Sequence, residues 1–522
     1  MSNRHPSIFN DVIGPVMRGP SSSHCAAALR IGLIARALMN GHIDEVLVEC
    51  DAQGSLATTF DNQGSDIGLW GGLLGWDATN ERLGDAAKAL HAAGVTTEMC
   101  IGEFGDVHPN TYRLTLRGGG ETHKLVALST GGGMIEVLSI DDVPITLFGD
   151  RHETLIFLSQ SDMGALTLLE RHLDAQQIQL NSRAGVTIVQ IFGKPNVETL
   201  LAPLKEQFKH LAVRTIQPVM PVLAMEEGQL PFLTCREMQE HNKRSSLSLW
   251  ELAIKYESVR GGLNEPEVFE KMREIAGVMR RAIDAGIAGT VYEDRILGWQ
   301  SGKYKDLMDR GALLDAGVLN EIILAVTATM ESKSSMGLVV AAPTAGSCGV
   351  LPGCLLATAD FLKLGEDDVV KALLAAGMIG VFIARRATFS AEVGGCQAEC
   401  GSASGMSAAG LVTLAGGTLE QAIAAASMAL QSSFGMICDP IANRVEAPCL
   451  GKNAMAAANA LSSANMALAG FEHLIPLDEV LAAMDQVGRS LPHALRCTAL
   501  GGLSVTETSR AIEERLNKKK KT

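Results

Sequence analysis

Three cysteines lie where helical patterns break in the C-terminal half of the chain: Cys396 in EVGGCQAECG, Cys438 in GMICDPIANRVEAPC, and Cys449 at the end of that second segment. They are 42 and 11 residues apart, and the chain contains no CxxC pair. A structural zinc site, whose ligands come in closely spaced pairs, fits this spacing poorly. Three thiolates on separate loops fit a cubane cluster with one iron free of protein sulfur. The pattern alone equally allows buried cysteines that pack as small apolar residues.

A run of serines followed by a histidine lies near the N-terminus, in GPSSSH at residues 19–24. It ends where an apolar pattern predicts a helix, so hydroxyls and free backbone amides converge at a helix N-terminus. Such a place binds anions, although serines there also act as ordinary helix caps. His24 has a side chain that can transfer a proton near neutral pH, or that can hold neighbouring groups in place.

Other polar side chains lie in loop-like segments between the predicted elements. Asp66 in NQGSD can receive an ammonium group, and His108 and Asn110 lie in HPNT, where Asn110 can also be a turn-former after Pro109. Thr344 in APTAG and Lys452 beside the last cysteine can orient a carboxylate. Lys452 can instead balance the charge of a metal cluster.

The 522-residue chain predicts about three domains. Residues 1–150 alternate helical and strand patterns, with a helix over residues 26–39, a strand at HIDEVLVEC, and paired strands at YRLTLRG and HKLVALST. Residues 151–225 read strand, helix, strand, helix, strand, and this order resembles an ACT module, an amino-acid-sensing fold. Residues 226–522 are rich in small residues at helical spacing. The predicted fold is therefore multidomain α+β: an α/β domain, an ACT-like (ferredoxin-like) βαβ module and an all-α domain that carries the cysteines.

The net charge of -14 argues against a nucleic-acid partner, because phosphate binding needs a basic face and the dense basic run at residues 518–521 reads as a solvated tail. Apolar stretches are interrupted well before the ~18 residues that span a bilayer, so no membrane partner is expected. The first residues contain no secretory signal pattern. We expect a cytoplasmic protein whose eleven cysteines are thiols or metal ligands.

Ordered motifs over nearly the whole chain resemble a known family. VVAAPTAGSCGVLPG, AEVGGCQAECGSASGMSAAG, CDPIANRVEAPC with KNAMAAANA, and ALGGLS look like the α region of the iron–sulfur-dependent L-serine dehydratases. RGPSSSH, SLATTFDNQGSD, VHPNTYRL and STGGGM look like the β region of the same family. The resemblance implies a single chain with a β region, a regulatory module and an α region.

The resemblance also implies a function. It is a lyase of amino-acid catabolism and gluconeogenesis that removes water from a small β-hydroxy acid, L-serine, to give pyruvate and ammonia. The cofactor is a [4Fe-4S] cluster with one iron open to substrate, without pyridoxal phosphate, and the protein is a homodimer. By the same resemblance, the cluster ligands are Cys396, Cys438 and Cys449, whereas Cys348, Cys354, Cys400 and Cys497 are not carried over. His24 and Ser23 are catalytic, and the substrate is bound by Ser21, Ser22, Ser23, His24, Asp66, His108, Asn110, Thr344 and Lys452.

The chain departs from the family pattern in the predicted substrate loops. Cys25 follows His24 where the family has threonine, and Gln63 begins a segment that reads His-Gly-Thr-Asp in the family. An alternative substrate is therefore a related hydroxy acid such as 2-(hydroxymethyl)glutarate, for which Arg18, Arg30 and Arg113 are available cations. A different class of hypothesis is a non-catalytic amino-acid sensor, and the three ligand cysteines speak against it.

Overall fold

The computed structural model describes the whole chain except residues 1–4, 160–163, 172, 174–176, 184, 194–203, 205, 209–210, 225–229 and 521–522. The chain begins with a wide helical turn, Ile8–Val12, and a two-residue strand β1, Val16–Met17. A second wide turn, Ser22–Ala26, runs directly into the helix Ala27–Leu38, which confirms the helix predicted over residues 26–39. Apolar residues at helical spacing, including Ile31, Ile34 and Leu38, bury one side of this helix.

A six-stranded mixed sheet follows, in the order β3-β2-β4-β5-β6-β7, and only β2 and β3 are parallel. Its predicted strand at HIDEVLVEC is β2, and the predicted pair YRLTLRG and HKLVALST forms β4 and β5, in antiparallel register with Tyr112 opposite Ala127. The strands are β2 Glu45–Asp51, β3 Thr96–Gly102, β4 Thr111–Gly118, β5 Glu121–Gly131, β6 Met134–Ile140 and β7 Val143–Leu147. Helices Leu56–Thr59, Ser65–Leu73 and Ala86–Ala92 connect β2 to β3.

A four-stranded antiparallel sheet comes next, in the order β11-β8-β10-β9. Its elements are β8 Glu153–Leu158, the helix Gly164–Glu170, β9 Ile178–Arg183, β10 Val186–Phe192 and β11 Ala212–Ile216. The sequence predicts β8, β10 and β11 but not β9, whose IQLNSR segment has few apolar residues because the strand is largely exposed. The polar turn before Gly164 and most of the second predicted helix lie outside the described residues.

The C-terminal region is helical, as predicted. Small residues let its helices approach closely, since a Cβ on Gly286 would lie 2.0 Å from the carbonyl oxygen of Ala328. Its helices are Cys235–Asn242, Leu249–Gly261, Glu265–Ala288, Ser301–Asp309, Val318–Ser334, Val350–Leu362, Glu366–Arg386, Ala391–Gly394, Ser402–Leu414, Leu419–Gln431, Cys449–Leu468, Leu477–Ser490 and Glu507–Lys520.

The prediction of an all-α region needs one correction. A two-residue strand β12, Val339–Val340, pairs antiparallel with β1, so that Val16 lies opposite Val340. A single strand of two residues gives no periodic signal, and this one exists only because the distant N-terminal segment supplies its partner.

The N-terminal segment packs into the helical core rather than against the six-stranded sheet. Ile8 and Val12 are fully buried, and each contacts a glycine of the helix Glu366–Arg386. The backbone N–H of Ile8 donates to Glu257 Oε2 at 2.7 Å, and the Tyr256 hydroxyl donates to the Pro6 carbonyl at 2.8 Å. This docking holds the serine run that follows close to the helical region.

One stretch of the described residues, Ala345–Leu362, is long and apolar enough to cross a membrane by length and composition. It is 83% buried inside the protein, which is the position of a core helix.

Candidate functional site

His24 lies at the centre of a buried polar cluster between the sheet region and the helical region. Its side chain is fully buried, its Nδ1 shares a hydrogen bond of 3.0 Å with Ser21 Oγ, and its Nε2 shares one of 2.8 Å with Thr59 Oγ1. Burial lowers the pKa of His24, while Glu392 partly opposes this shift. The imidazole is therefore neutral near pH 7.

Glu392 connects this histidine to the helical region. Its Oε1 lies 3.7 Å from His24 Nδ1, and its Oε2 accepts a hydrogen bond of 2.7 Å from the Ser390 hydroxyl. The β5–β6 turn packs directly against Ser390. Gly131 in this turn has φ +108°, and a Cβ on it would lie 2.7 Å from the Ser390 nitrogen. Burial also lowers the pKa of His108, and Glu392 raises it in part, so Glu392 is near both histidines.

Asn110 presents an unused amide inside the protein. The residue is fully buried, and neither its side-chain oxygen nor its side-chain nitrogen has a hydrogen-bond partner in the structure. Its backbone N–H donates to His108 Nδ1 at 3.2 Å, and its carbonyl accepts from Ser129, whose hydroxyl donates to the Ser23 carbonyl at 2.6 Å. Buried polar groups are almost always paired, so an orphaned amide here indicates a ligand site.

The serine run also contacts the loop that contains Thr344. The backbone N–H of Ala345 donates to Ser22 Oγ at 3.1 Å, and the Thr344 hydroxyl donates to Glu399 Oε1 at 2.6 Å. Glu399 is partly buried, and desolvation is the chief cause that raises its pKa to about 7. The structure thus joins the predicted substrate residues Ser22 and Thr344 to a carboxylate that lies three residues after Cys396.

The three predicted ligand cysteines are all buried and lie near one another. The pKa of Cys438 is raised first by its hydrogen-bond contact with the Cys497 thiol, then by burial, and also by Glu399 and Cys396. Burial also raises the pKa of Cys449, with Cys396 and Glu399 adding to the shift. Cys400, which the resemblance does not carry over, contacts Cys396 in the same way.

Lysines flank this group of thiols on two sides. Lys452 donates to Asp439 Oδ1 at 2.6 Å and to the Ile437 carbonyl at 2.7 Å. Burial lowers the pKa of Lys452, but the nearby Cys396 and Asp439 outweigh burial and raise this pKa. Lys333 is fully buried and donates to the Val445 carbonyl. Within the part of the chain that the structure describes, no three His, Cys, Asp or Glu side chains meet closely enough to hold a single metal ion.

The C-terminal segment closes the space between the two regions. Cys438 donates its N–H to the Leu495 carbonyl at 2.9 Å, and Cys497 donates its own to the Cys438 carbonyl at 3.0 Å. On the other side, the Ser55 hydroxyl donates to the Cys497 carbonyl at 3.0 Å, and Gln63 Nε2 lies 3.5 Å from the Cys497 sulfur. Gln63, one of the departures from the family pattern, therefore contacts the loops of the cysteines.

Asp66, another predicted substrate residue, lies beside the residue that follows His24. It lies in the first turn of the helix Ser65–Leu73 and is close to Cys25, whose pKa is raised to about 12 by burial and by this carboxylate. The pattern that suggests an ammonium site at Asp66 does not reveal that its neighbour is a thiol.

Comparison with known proteins bears on the same residues. The family model of serine dehydratase alpha chains matches residues 244–504, half of the chain. The probable L-serine dehydratase alpha chain of Bacillus subtilis is 37% identical over 285 residues, which are 55% of this chain and 95% of that protein.

The chain belongs to the serine dehydratase family.

Two further relatives show how much of the chain the similarity covers. The L-serine dehydratase alpha chain of Peptoniphilus asaccharolyticus is 37% identical over 280 residues, 53% of this chain and 96% of that protein. L-serine dehydratase 2 of Escherichia coli is 26% identical over 500 residues, 93% of this chain and 96% of that protein. The similarity thus extends through the sheet regions, and the chain is an enzyme of the hydro-lyase (ammonia-lyase) class that this family represents.

Several groups at the centre of this serine dehydratase site are absent from the sequence-based prediction. Thr59, Glu392 and Glu399 bond the predicted residues, and Lys333 lies beside Cys449. The available signal is the position of the two glutamates, four residues before and three after Cys396 in a segment of small and apolar residues. A charged residue in such a segment is buried at a cost unless it is paired, and it therefore merits attention as a site residue.

The raised pKa of Glu399 predicts a specific pH dependence of stability for the iron-free protein. Between about pH 4.5 and pH 7 the folded state holds a proton that the unfolded state has lost, so stability falls as the pH rises through this window. Glu399→Gln keeps the hydrogen bond from Thr344 and removes the ionisation. We expect its stability advantage over the wild type, measured by urea unfolding, to grow from pH 5 to pH 8.

The exposed Glu420→Gln variant is the control and should show the same pH dependence as the wild type. A constant stability difference for Glu399→Gln across this pH range would show that Glu399 ionises normally.

Proposed function

We propose that this chain eliminates water from L-serine, giving pyruvate and ammonia, with a [4Fe-4S] cluster held by Cys396, Cys438 and Cys449. The observation that carries the proposal is the meeting of two sets of loops: the serine–histidine run with the orphaned Asn110 amide, and the loops of the three buried cysteines. The names of the three relatives described above, which all specify L-serine dehydratase, support the choice of substrate.

The donor set fits such a cluster. Buried thiols with raised pKa values ionise only when a cation compensates them, and metal coordination deprotonates a thiol outright. A cubane separates its ligand sulfurs more widely than a single ion does, which suits three cysteines that form no mononuclear site. When bound, the cluster supplies a Lewis-acidic iron with an open coordination position for a substrate oxygen.

The chain's own residues bind and orient the substrate. The Asn110 side chain offers an NH₂ group that can donate to the carboxylate of an amino acid and an oxygen that can accept from its ammonium group. Ser21, Ser22 and Ser23 lie at the start of the wide turn Ser22–Ala26 that leads into the helix Ala27–Leu38, and the first backbone N–H groups of such a turn favour a carboxylate. Thr344 lies opposite them, and its hydrogen bond to Glu399 fixes the orientation of its hydroxyl.

His24 is the proposed proton-transfer residue. Its neutral imidazole can accept the α-proton of the substrate or hydrogen-bond to the leaving hydroxyl, and Ser23 lies beside it in the same turn. Glu392 is 3.7 Å from Nδ1, so it can compensate the positive charge that the ring acquires. Hydrogen bonds with Ser21 and Thr59 fix the orientation of the imidazole ring, and therefore the positions of its two nitrogens.

A small cleft near the serine run is the proposed entrance for small molecules. Pro20 and Gly64 line it on the side of the sheet region, next to the serine run and to Gln63. Val445 and Glu446 line it on the helical side, and Val445 precedes Cys449 by four residues. The cleft is thus lined by the sheet region and by the segment that precedes Cys449.

The region 151–225 is proposed to be an ACT-like regulatory module. The order β11-β8-β10-β9, with a helix after β8, supports a ferredoxin-like arrangement, and this region contains no cysteine. We further propose that the protein acts in the cytoplasm as a homodimer.

The alternative dicarboxylate substrate is not favoured by the structure, because the three available arginines are engaged elsewhere. Arg18 bonds the carbonyls of Thr79 and Met336, Arg30 bonds that of Gly133, and Arg113 pairs with Asp106. The three buried cysteines and their lysines also disfavour a purely sensory role.

A substrate screen under anaerobic conditions tests the proposed reaction. L-serine, D-serine, L-threonine and 2-(hydroxymethyl)glutarate are incubated with the enzyme, and loss of each compound is measured. The expected products are 2-oxo acids and ammonia from the three amino acids, and 2-methyleneglutarate from the dicarboxylate. We expect turnover of L-serine to exceed that of the other compounds by at least about tenfold, because one unpaired polar group in a buried site costs on the order of 1–3 kcal/mol. A preference for the dicarboxylate would contradict the proposal.

Iron content tests the ligand assignment. Anaerobically purified protein should contain about four irons per chain, as expected for a [4Fe-4S] cluster. Cys396→Ala, Cys438→Ala and Cys449→Ala should each lose the visible absorption of the cluster and all activity. Cys354→Ala is the matched control, since this cysteine is also buried in the helical core and its thiol contacts the Ala457 carbonyl and the Ser407 hydroxyl. A Cys438→Ala protein with full iron and turnover would refute the assignment.

Replacement of His24 should separate proton transfer from cluster binding. His24→Ala should keep its iron and lower turnover by roughly 10²–10⁴, the range usual for a general acid–base residue. His123→Ala is the control, because this histidine pairs with Asp141 in the six-stranded sheet. Wild-type turnover in His24→Ala would remove the main support for the proposed mechanism.

Asn110→Ala should act chiefly on substrate affinity. Loss of hydrogen bonds to the bound amino acid should raise KM by about tenfold to a hundredfold, corresponding to about 1.4–2.8 kcal/mol, while the iron content stays unchanged. Asn181→Ala, in strand β9, serves as the control. An unchanged KM would show that the orphaned amide does not meet the substrate.

A further inference from the structure

Lys333 is a buried lysine that has no carboxylate partner among the ion pairs of the described residues, and burial lowers its pKa. It lies near the end of the helix Val318–Ser334, it is fully buried, and its ammonium donates to the carbonyl of Val445. Among the ion pairs of the described residues none includes Lys333, whereas Lys452 is paired with Asp439. A buried charge is normally compensated, so the partner of Lys333 must be sought among the groups around it.

The nearest carboxylate is already neutralised by other groups. Glu446 accepts from Arg295 Nε at 2.6 Å and from the backbone N–H groups of Ile296 and Leu297 at 2.7 and 3.0 Å. The charge of Glu446 is therefore shared with an arginine and two amides before Lys333 is considered. The sulfurs of Cys449 and Cys348 are the remaining negative groups that act on the lysine.

Cys449 is the better partner of these two sulfurs. It is the first residue of the helix Cys449–Leu468, and a thiolate at a helix N-terminus is stabilised by the free N–H groups there. Burial raises the pKa of Cys449, and Lys333 lowers this pKa. Cys348 lies instead within the helical core, with its sulfur 3.9 Å from that of Met330.

We propose that Lys333 is the counter-charge for the Cys449 corner of the cluster, and that its positive charge sets the reduction potential of the cluster. This inference rests on the proposed function, because it assumes that Cys449 binds iron. Three thiolates, a substrate carboxylate and the carboxylates of Glu392 and Glu399 concentrate negative charge in a buried space. With Lys452 already paired, Lys333 is the cation that offsets it.

The test separates the charge of Lys333 from its hydrogen bond. Lys333→Gln can still donate to the Val445 carbonyl but has no charge, and Lys333→Arg keeps a charge. Anaerobic proteins are analysed for iron and sulfide, and the midpoint potential of the cluster is measured by a redox titration followed by electron paramagnetic resonance, without substrate. Lys243→Gln, an exposed lysine of the same region, is the control.

We expect Lys333→Gln to retain iron and to shift the midpoint potential to a more negative value by about 59 mV or more, a tenfold change in a one-electron equilibrium. Lys333→Arg and Lys243→Gln should keep the wild-type potential. An unchanged potential in Lys333→Gln overturns the inference and leaves the proposed function intact. Should Lys333→Gln fail to fold, the arginine variant decides, because a shifted potential despite the retained charge also overturns it. Absence of iron from the wild-type protein would overturn the proposed function itself.

Discussion

Docking of the N-terminal segment onto the helical core is the contact on which the rest of the molecule depends. Strand β1 pairs with β12, and two backbone hydrogen bonds extend the pairing at one end, from Gly14 to the Ala341 carbonyl and from Ala341 to the Pro15 carbonyl. Each strand leads within four residues into a loop of the site, β1 into Ser21 and β12 into Thr344. The two regions of the protein are thereby fixed relative to each other where the polar side chains meet.

The polar layer between the regions is held by charge balance as much as by packing. Glu392 faces His24, Glu399 receives the Thr344 hydroxyl, and Glu446 is enclosed by an arginine and two amides. Each carboxylate has a defined donor. The side-chain amide of Asn110, by contrast, has no hydrogen-bond partner, and the ammonium of Lys333 bonds a carbonyl rather than a charged group. Unsatisfied groups of this kind are usual at sites that complete their bonding with a ligand.

Much of this arrangement could be predicted from the sequence, because its signals are local. Apolar periodicity predicts the helix Ala27–Leu38 and strands β2, β4 and β5, and glycine and proline predict the breaks beside the three cysteines. β9 and β12 could not be predicted, since one is largely exposed and the other needs a partner more than 300 positions away. Glu392 and Glu399 are marked in the sequence only by their small and apolar neighbours, and Lys333 resembles a surface charge, so only the structure shows what these side chains contact. The ligand and substrate roles stay predictions.

The hydrogen bonds that enclose the site join residues very far apart along the chain: Ser22 and Ala345 are 323 positions apart, and Ser55 and Cys497 are 442 positions apart. Contacts of such long sequence separation form late, because the loop between them must first be closed. During synthesis the sheet region can fold before the helical region has been made. The segment around Cys438 therefore stays uncovered until the segment at Cys497 has left the ribosome, so enclosure of the cysteines is one of the last events in the maturation of this chain.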